Sequence, residues 1–102
     1  LLDAFKKGNN RAGIELSLYY KRLKKWNDAV SIWLKIWEKN KSIFCGIELA
    51  KYYEHKKKDY ESALQITETI LSMQHFKITN YIVDLEKRRN RINNKITGRN
   101  KC

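Results

Sequence analysis

The phrase GIELSLYYKRLKKWNDAV, residues 13–30, comes back as GIELAKYYEHKKKDYESAL, residues 46–64, in a chain of 102 residues. Gly13-Ile14-Glu15-Leu16 is answered by Gly46-Ile47-Glu48-Leu49, and Tyr19-Tyr20 by Tyr52-Tyr53, each 33 positions later. Trp26 and Ala29 are answered by Tyr60 and Ala63 at 34 positions, so the second copy holds one extra residue in its Lys-rich turn. A period of this length marks a small structural unit that cannot bury its own apolar face and stacks on copies of itself.

Around the repeat, proline is absent and only 4 glycines occur, while Lys, Glu, Leu, Ile and Tyr abound; such a composition favours helices. The length suits one domain with a modest core. No apolar run approaches the thickness of a bilayer, and no stretch resembles a secretory signal. Cys45 and Cys102 have neither metal-ligand spacing nor a disulfide framework, which reads as reduced thiols in a cytoplasmic protein. Because the chain opens on Leu1, it is expected to be a processed protein or an excerpt of a longer one. The formal charge of +11 has two readings: an anionic partner such as nucleic acid, or lysines spread over solvated helix faces.

Residues 1–10 read as the end of a helix, LLDAF, followed by a stop at Lys6–Asn10. Residues 11–41 form a first hairpin. Its first helix, about 11–24, carries Ile14, Leu16, Leu18, Tyr20 and Leu23. Asn27 or Asp28 opens the second, where Ala29, Val30, Ile32, Trp33, Ile36 and Trp37 recur at helical spacing until Asn40 and Lys41 close it. Residues 42–75 form a second hairpin, with Ser42 capping a helix that ends near Lys56. Asp59 caps its partner, striped by Ala63, Leu64, Ile66, Ile70 and Leu71. Connections this short make successive helices antiparallel. Residues 76–97 give a last helix with one apolar seam, Ile78, Ile82, Leu85, Ile92 and Ile96, interrupted only by Arg89; such a seam can cover an open end. Residues 98–102 have nothing to bury and are expected to fray.

Leu16-Ser17 with Tyr20, and Leu49-Ala50 with Tyr53, resemble the tetratricopeptide repeat, a helix hairpin of 34 residues; Ala29 and Ala63, each three residues after an aromatic, extend the likeness. The resemblance implies an all-α fold of two stacked tetratricopeptide-like helix hairpins plus a C-terminal capping helix, a short right-handed α-solenoid. Gly13 and Gly46 depart from the pattern by replacing its early Trp, and Lys41 stands near the place of its closing Pro. A glycine inside a helix costs up to about 1 kcal/mol against alanine, so these two are expected to pack closely against a neighbour. IELSLYYKRLKKWNDAVSIW and IELAKYYEHKKKDYESALQIT also resemble the C-terminal repeats of a bacterial family of predicted exonucleases, in which a ribonuclease-H-like domain precedes the repeats. The likeness covers about residues 13–72, and LEKRRNRINNK is loosely similar to that family's last helix. None of the nuclease's acidic metal ligands falls on this stretch, so no catalytic residue is carried over.

Little in the chain could do chemistry. His55 and His75 lie on different segments, neither with a second histidine at metal spacing, and solvated roles account for both. Ser17 and Cys45 have no partnered base, and Ser17 has a packing reason to be small. Glu15 and Glu48 are expected to pair with nearby lysines. The glycines are isolated and form no phosphate loop. No catalytic residue, metal or cofactor is assigned. Trp26 and Trp33 coincide with core positions of the repeat, whereas Trp37 is left unexplained by it and could stack on a nucleic-acid base.

The basic residues gain meaning from the repeat. Lys21, Arg22, Lys24 and Lys25 surround the first hairpin's turn, and His55, Lys56, Lys57 and Lys58 the equivalent turn of the second. Stacking in register would bring equivalent turns to about 10 Å and make one ridge of them. Lys87, Arg88, Arg89, Arg91 and Lys95 add to it from the last helix. Such a ridge would contact phosphates without sequence choice. Cations also collect at helix C-termini for local electrostatic reasons. The repeat resemblance further implies a concave groove lined by Arg11, Leu18, Lys21 and Arg22 and by Phe44, Lys51, Glu54 and His55, lacking the Lys/Asn set that holds a C-terminal carboxylate. Three functions stay open: a non-catalytic module for a peptide, protein or neighbouring domain; a nucleic-acid-gripping arm of a ribonuclease-H-like nuclease; and a regulator that binds an acidic protein.

Overall fold

The computed structural model describes residues 2–73 and 79–100; His75, Ile78 and Cys102, singled out above, lie outside the described residues. The elements are α1 (Leu2–Lys6), α2 (Asn10–Arg22), α3 (Trp26–Asn40), α4 (Ile43–Tyr52), a π-helical turn (Tyr53–Lys57), α5 (Tyr60–Leu71) and α6 (Thr79–Asn100). Among the described residues the chain is all-helical, and no described helix is long and apolar enough to cross a membrane.

Local chemistry sets the ends of these helices. The Asn9 side chain accepts from the Ala12 N–H at 3.0 Å, and Asp59 accepts from the Ser62 N–H at 3.2 Å, each satisfying a first-turn donor. Ser42 accepts from the Cys45 N–H in the same way. The first four connections share another device. Gly8 (φ 97°), Lys24 (φ 60°), Lys41 (φ 52°) and Lys58 (φ 56°) all take the left-handed conformation that stops a helix, at intervals of 16 or 17 residues. Only the first is glycine, so three lysines carry a backbone cost of about 1 kcal/mol each.

The extra residue of the second copy has a definite location. In the first copy Lys25 N–H bonds to Tyr20 C=O at 2.9 Å, whereas in the second Asp59 N–H bonds to Tyr53 C=O at 2.8 Å. One bond closes over five residues and its equivalent over six. The added residue is taken up as the π-helical turn, while Lys24 and Lys58 keep the same left-handed role.

Two compact units divide the chain, Leu1–Gly46 and Ile47–Cys102, the boundary falling inside α4. In the first unit α1 packs on α2, and α2 on α3. Asn10 donates to Asn40 at 2.9 Å and the Trp33 Nε1–H to the Ser17 hydroxyl at 2.8 Å. Both contacts are centred on Lys25, which makes α2 and α3 an antiparallel hairpin. Ser17 also donates to the Ile14 carbonyl, so a fully buried indole N–H and a fully buried hydroxyl satisfy each other. Ala12, Leu16, Ala29, Ile32, Trp33, Ile36 and Trp37 fill this core. Gly13 packs as closely as expected: a Cβ there would collide with the Phe5 ring.

In the second unit α6 packs on α5, and the π turn on α5. Ala63, Ile66, Thr67 and Ile70 are buried along α5, and Leu85 and Ile92 along α6, so the seam of the last helix does cover apolar surface. Thr67 enters that core because its hydroxyl donates to the Ala63 carbonyl at 2.8 Å.

Several expectations are corrected. The helix expected to open at Asn27 or Asp28 starts at Trp26, with no side-chain cap, because the Lys24 turn already sets its direction. Trp26 is only half-buried, while Trp37 is a core residue with the Lys41 ammonium 4.8 Å above its ring. The last helix runs past Ile96 to Asn100, crossing Gly98, whose surroundings are open.

Two stability tests follow from these contacts. Ser17→Ala strands the Trp33 N–H in a dry core and should cost about 1–3 kcal/mol in urea unfolding. Gly8→Ala should cost about 1 kcal/mol, whereas Lys58→Gly should raise stability by up to about 1 kcal/mol. Opposite signs for these last two, read from unfolding midpoints, would confirm that left-handed turns punctuate the chain.

Candidate functional site

Glu54 is the second residue of the π turn, and its side chain is fully buried. Three cations on α6 reach it. Arg88 Nη1 donates to Oε1 at 2.8 Å, Arg91 Nε to Oε2 at 2.6 Å, Arg91 Nη2 to Oε1 at 2.9 Å and Lys95 Nζ to Oε2 at 2.9 Å. Arg91 therefore grips the carboxylate with two parallel bonds, the strongest geometry for such a pair. Residues 88, 91 and 95 lie three and four apart, on one helix face. His55 Nε2 stands 3.6 Å from Oε1 and Lys95 also lies 5.4 Å from the centre of the Tyr60 ring.

Electrostatics follow from that crowding. Burial alone would raise the Glu54 carboxyl. The hydrogen bonds from Arg91 and Lys95, with the charges of Arg91 and His55, override burial and hold it at about 2, against an ordinary 4.5. Partial burial holds His55 below its usual range, helped by the cations Lys95, Arg88 and Arg91 and opposed by Glu54. Arg91 is pushed up by its bonds to Glu54. The cluster binds one negative charge with three positive ones.

Other residues marked from the sequence fall into distinct surroundings. In the first unit Arg22, Lys24 and Lys25 are exposed and Lys21 is half-buried. In the second, His55, Lys56, Lys57, Lys58 and Lys87 are exposed. Arg88 and Arg91, read as ridge residues, are engaged by Glu54, the first with its side chain only 15% exposed and the second 46%. Glu54 cannot line an open groove, because no part of its side chain reaches solvent. Arg11, Leu18, Phe44 and Lys51 are exposed as a groove would require; Arg11 sits 3.8 Å from Glu15 and Lys51 sits 3.6 Å from Glu48. Trp33 and Trp37 are buried and unable to stack on a base.

A cleft of about 420 Å³ opens in the first unit beside Phe5, Lys6, Lys35, Ile36 and Lys39. A smaller one of about 130 Å³ in the second unit is lined by Ile47, Lys51, Asp84, Leu85 and Arg88. Among the described residues no group of His, Cys, Asp and Glu side chains could hold a metal ion.

Over 76 residues the chain is 38% identical to an uncharacterized protein, YprB, of Bacillus subtilis (strain 168). The match takes in 71% of this chain and 18% of that protein, so the chain spans less than a fifth of the relative. No family model matches the sequence, and no solved structure matches it.

Acid should loosen the second unit. Glu54 has a folded pKa below its unfolded value, so the unfolded chain takes up the proton first. The stability it contributes is complete above about 4.5 and drains away as the pH falls towards 2. His55, also held low, adds a gentler loss with the same sign below about 6.5. Glu54→Gln should cost about 3 kcal/mol at neutral pH, less than a fully dry pair because Arg91 and Lys95 keep access to water. It should also flatten the stability profile between pH 4.5 and 2, as measured by urea unfolding.

Proposed function

We propose that the chain is a non-catalytic, tetratricopeptide-like interaction module that mediates protein–protein or interdomain assembly in a bacterial cytoplasmic protein. The observation that carries this reading is the outward display of large apolar side chains in the first unit: Leu18, Tyr19 and Leu23 on or just after α2, and Phe44 on α4, are 38–50% exposed. Arg11, Glu15, Leu18 and Arg22 follow one another by three or four residues, giving α2 a mixed polar and apolar outer face opposite its buried Ala12, Gly13, Leu16 and Ser17. Interfaces with peptides and neighbouring domains combine apolar anchors of this kind with a polar rim. The resemblance of both sequence copies to tetratricopeptide hairpins supports the same view.

A second reading is favoured by the charge around the π turn. The exposed Lys57 and Lys58 stand beside a cluster that already holds more cations than its carboxylate neutralises. On that reading the chain is a basic, nucleic-acid-gripping C-terminal domain of a ribonuclease-H-like exonuclease, and phosphates are its contacts.

The interaction reading is tested by hydrogen exchange on the full-length polypeptide and on residues 1–102 alone. Amides of α2 are expected to exchange at least tenfold more slowly in the full-length protein. Leu18→Asp with Phe44→Asp, two side chains each 38% exposed, should abolish that difference, with circular dichroism and urea unfolding showing that the fold is kept. Equal exchange in the two forms, with no partner bound, would defeat the reading.

A further inference from the structure

We propose that Arg91 and Lys95, fixed from below by buried Glu54 and flanked by His55, form a binding site for one backbone phosphate of a nucleic-acid strand. The proposal rests on the nucleic-acid reading above and gives it an anchoring contact.

Neutralising Glu54 requires one cation, yet three hydrogen-bond to it within 2.6–2.9 Å. Crowding the other two beside the first is unfavourable unless an anion shares them. The geometry shows where that anion would sit. Arg91 spends its Nε and Nη2 edge on the carboxylate, which leaves the opposite edge of the guanidinium, Nη1 with the second Nη2 hydrogen, directed away from Glu54. That edge is a rigid fork matched to two phosphate oxygens. Lys95 lies one helical turn further on, spends one donor on Oε2, and is 33% exposed. His55 is 53% exposed and supplies a third polar group.

Preorganisation separates this cluster from ordinary surface lysines. The two bonds from Arg91 to a carboxylate that cannot move hold the guanidinium in place before a ligand arrives, so less side-chain freedom is lost on binding. The π turn that carries Glu54 is a helical distortion of the kind that recurs at functional sites. Asp84 and Glu86 are the acids nearest on α6, about two and one and a half turns before Arg91; Asp84 lines a cleft with Arg88, and neither acid makes a described ion pair with Arg91 or Lys95. A phosphodiester is preferred over a protein carboxylate because the exposed Lys57 and Lys58 continue the positive surface from the same turn, as a repeating chain of phosphates requires.

The test is fluorescence anisotropy with a labelled 20-nucleotide oligothymidylate, over a series of salt concentrations, on the whole chain. Arg91→Lys keeps the charge and removes the fork; it should weaken binding about tenfold. Lys95→Gln should weaken binding and reduce the slope of log K against log salt by about 0.7, one single-strand phosphate contact. Lys39→Gln in the first unit makes the same change of net charge and should leave both quantities nearly unchanged. Circular dichroism on each variant separates lost binding from lost fold. Wild type that fails to bind the oligonucleotide overturns the nucleic-acid reading itself. Wild type that binds, with Lys39→Gln as damaging as Lys95→Gln or Arg91→Lys without effect, overturns the site alone. Tighter binding of a phosphoserine peptide than of the oligonucleotide overturns the assignment of the ligand.

Discussion

A carboxylate taken wholly out of water must be matched by hydrogen bonds and charge, and in this chain that demand falls on Glu54. An unpaired ion at such a place costs several kcal/mol, enough to unfold a small domain. Four donors from α6 meet it, so the last helix is held to the π turn by an interaction with strict geometry as well as by the apolar contacts of Leu85 and Ile92. Apolar burial supplies most of the adhesion, but a greasy seam tolerates sliding and rotation that a doubly bonded guanidinium does not. The ion cluster thus fixes which way α6 faces, and with it which cations are turned to solvent.

The two sequence copies show how one template acquires different roles. Lys21 and Glu54 occupy the same place in the repeat, yet one is a half-buried cation and the other a buried anion. Both copies retain the small buried residues, Ala29 and Ala63, and both keep a tyrosine pair, with ring centres 6.2 Å apart in the first and 5.6 Å in the second. What changed is confined to the corner after the tyrosines: one added residue, a π turn, and a reversal of charge answered from α6.

Much of the architecture was legible from local signals. Asp59 as a cap, the small residues at 29 and 63, the buried seam at Leu85 and Ile92 and the close approach at Gly13 all follow from spacing and side-chain chemistry, which act over a few residues. The site was legible only in pieces. The cationic turn and the basic face of the last helix were visible as charge, but the repeat pattern puts Glu54 on the lining of an open groove. The partners of Glu54 lie 34 to 41 positions away, and only tertiary packing brings them together. A signal did exist: an acid standing where the other copy has a lysine, and three cations spaced three and four apart. Trp37 was misjudged for a related reason, since the repeat pattern specifies shared positions and is silent about how a particular core fills its remaining space.

The π turn has a consequence for how such a chain can vary in length. Adding a residue within a regular helix would rotate every later side chain by about 100° and scramble the buried stripe. Here the slip is absorbed between Tyr53 and Lys58, and Ala63, Ile66 and Ile70 remain in the interior. At this corner one added residue leaves the buried stripe of α5 in register while it changes the chemistry of the turn itself.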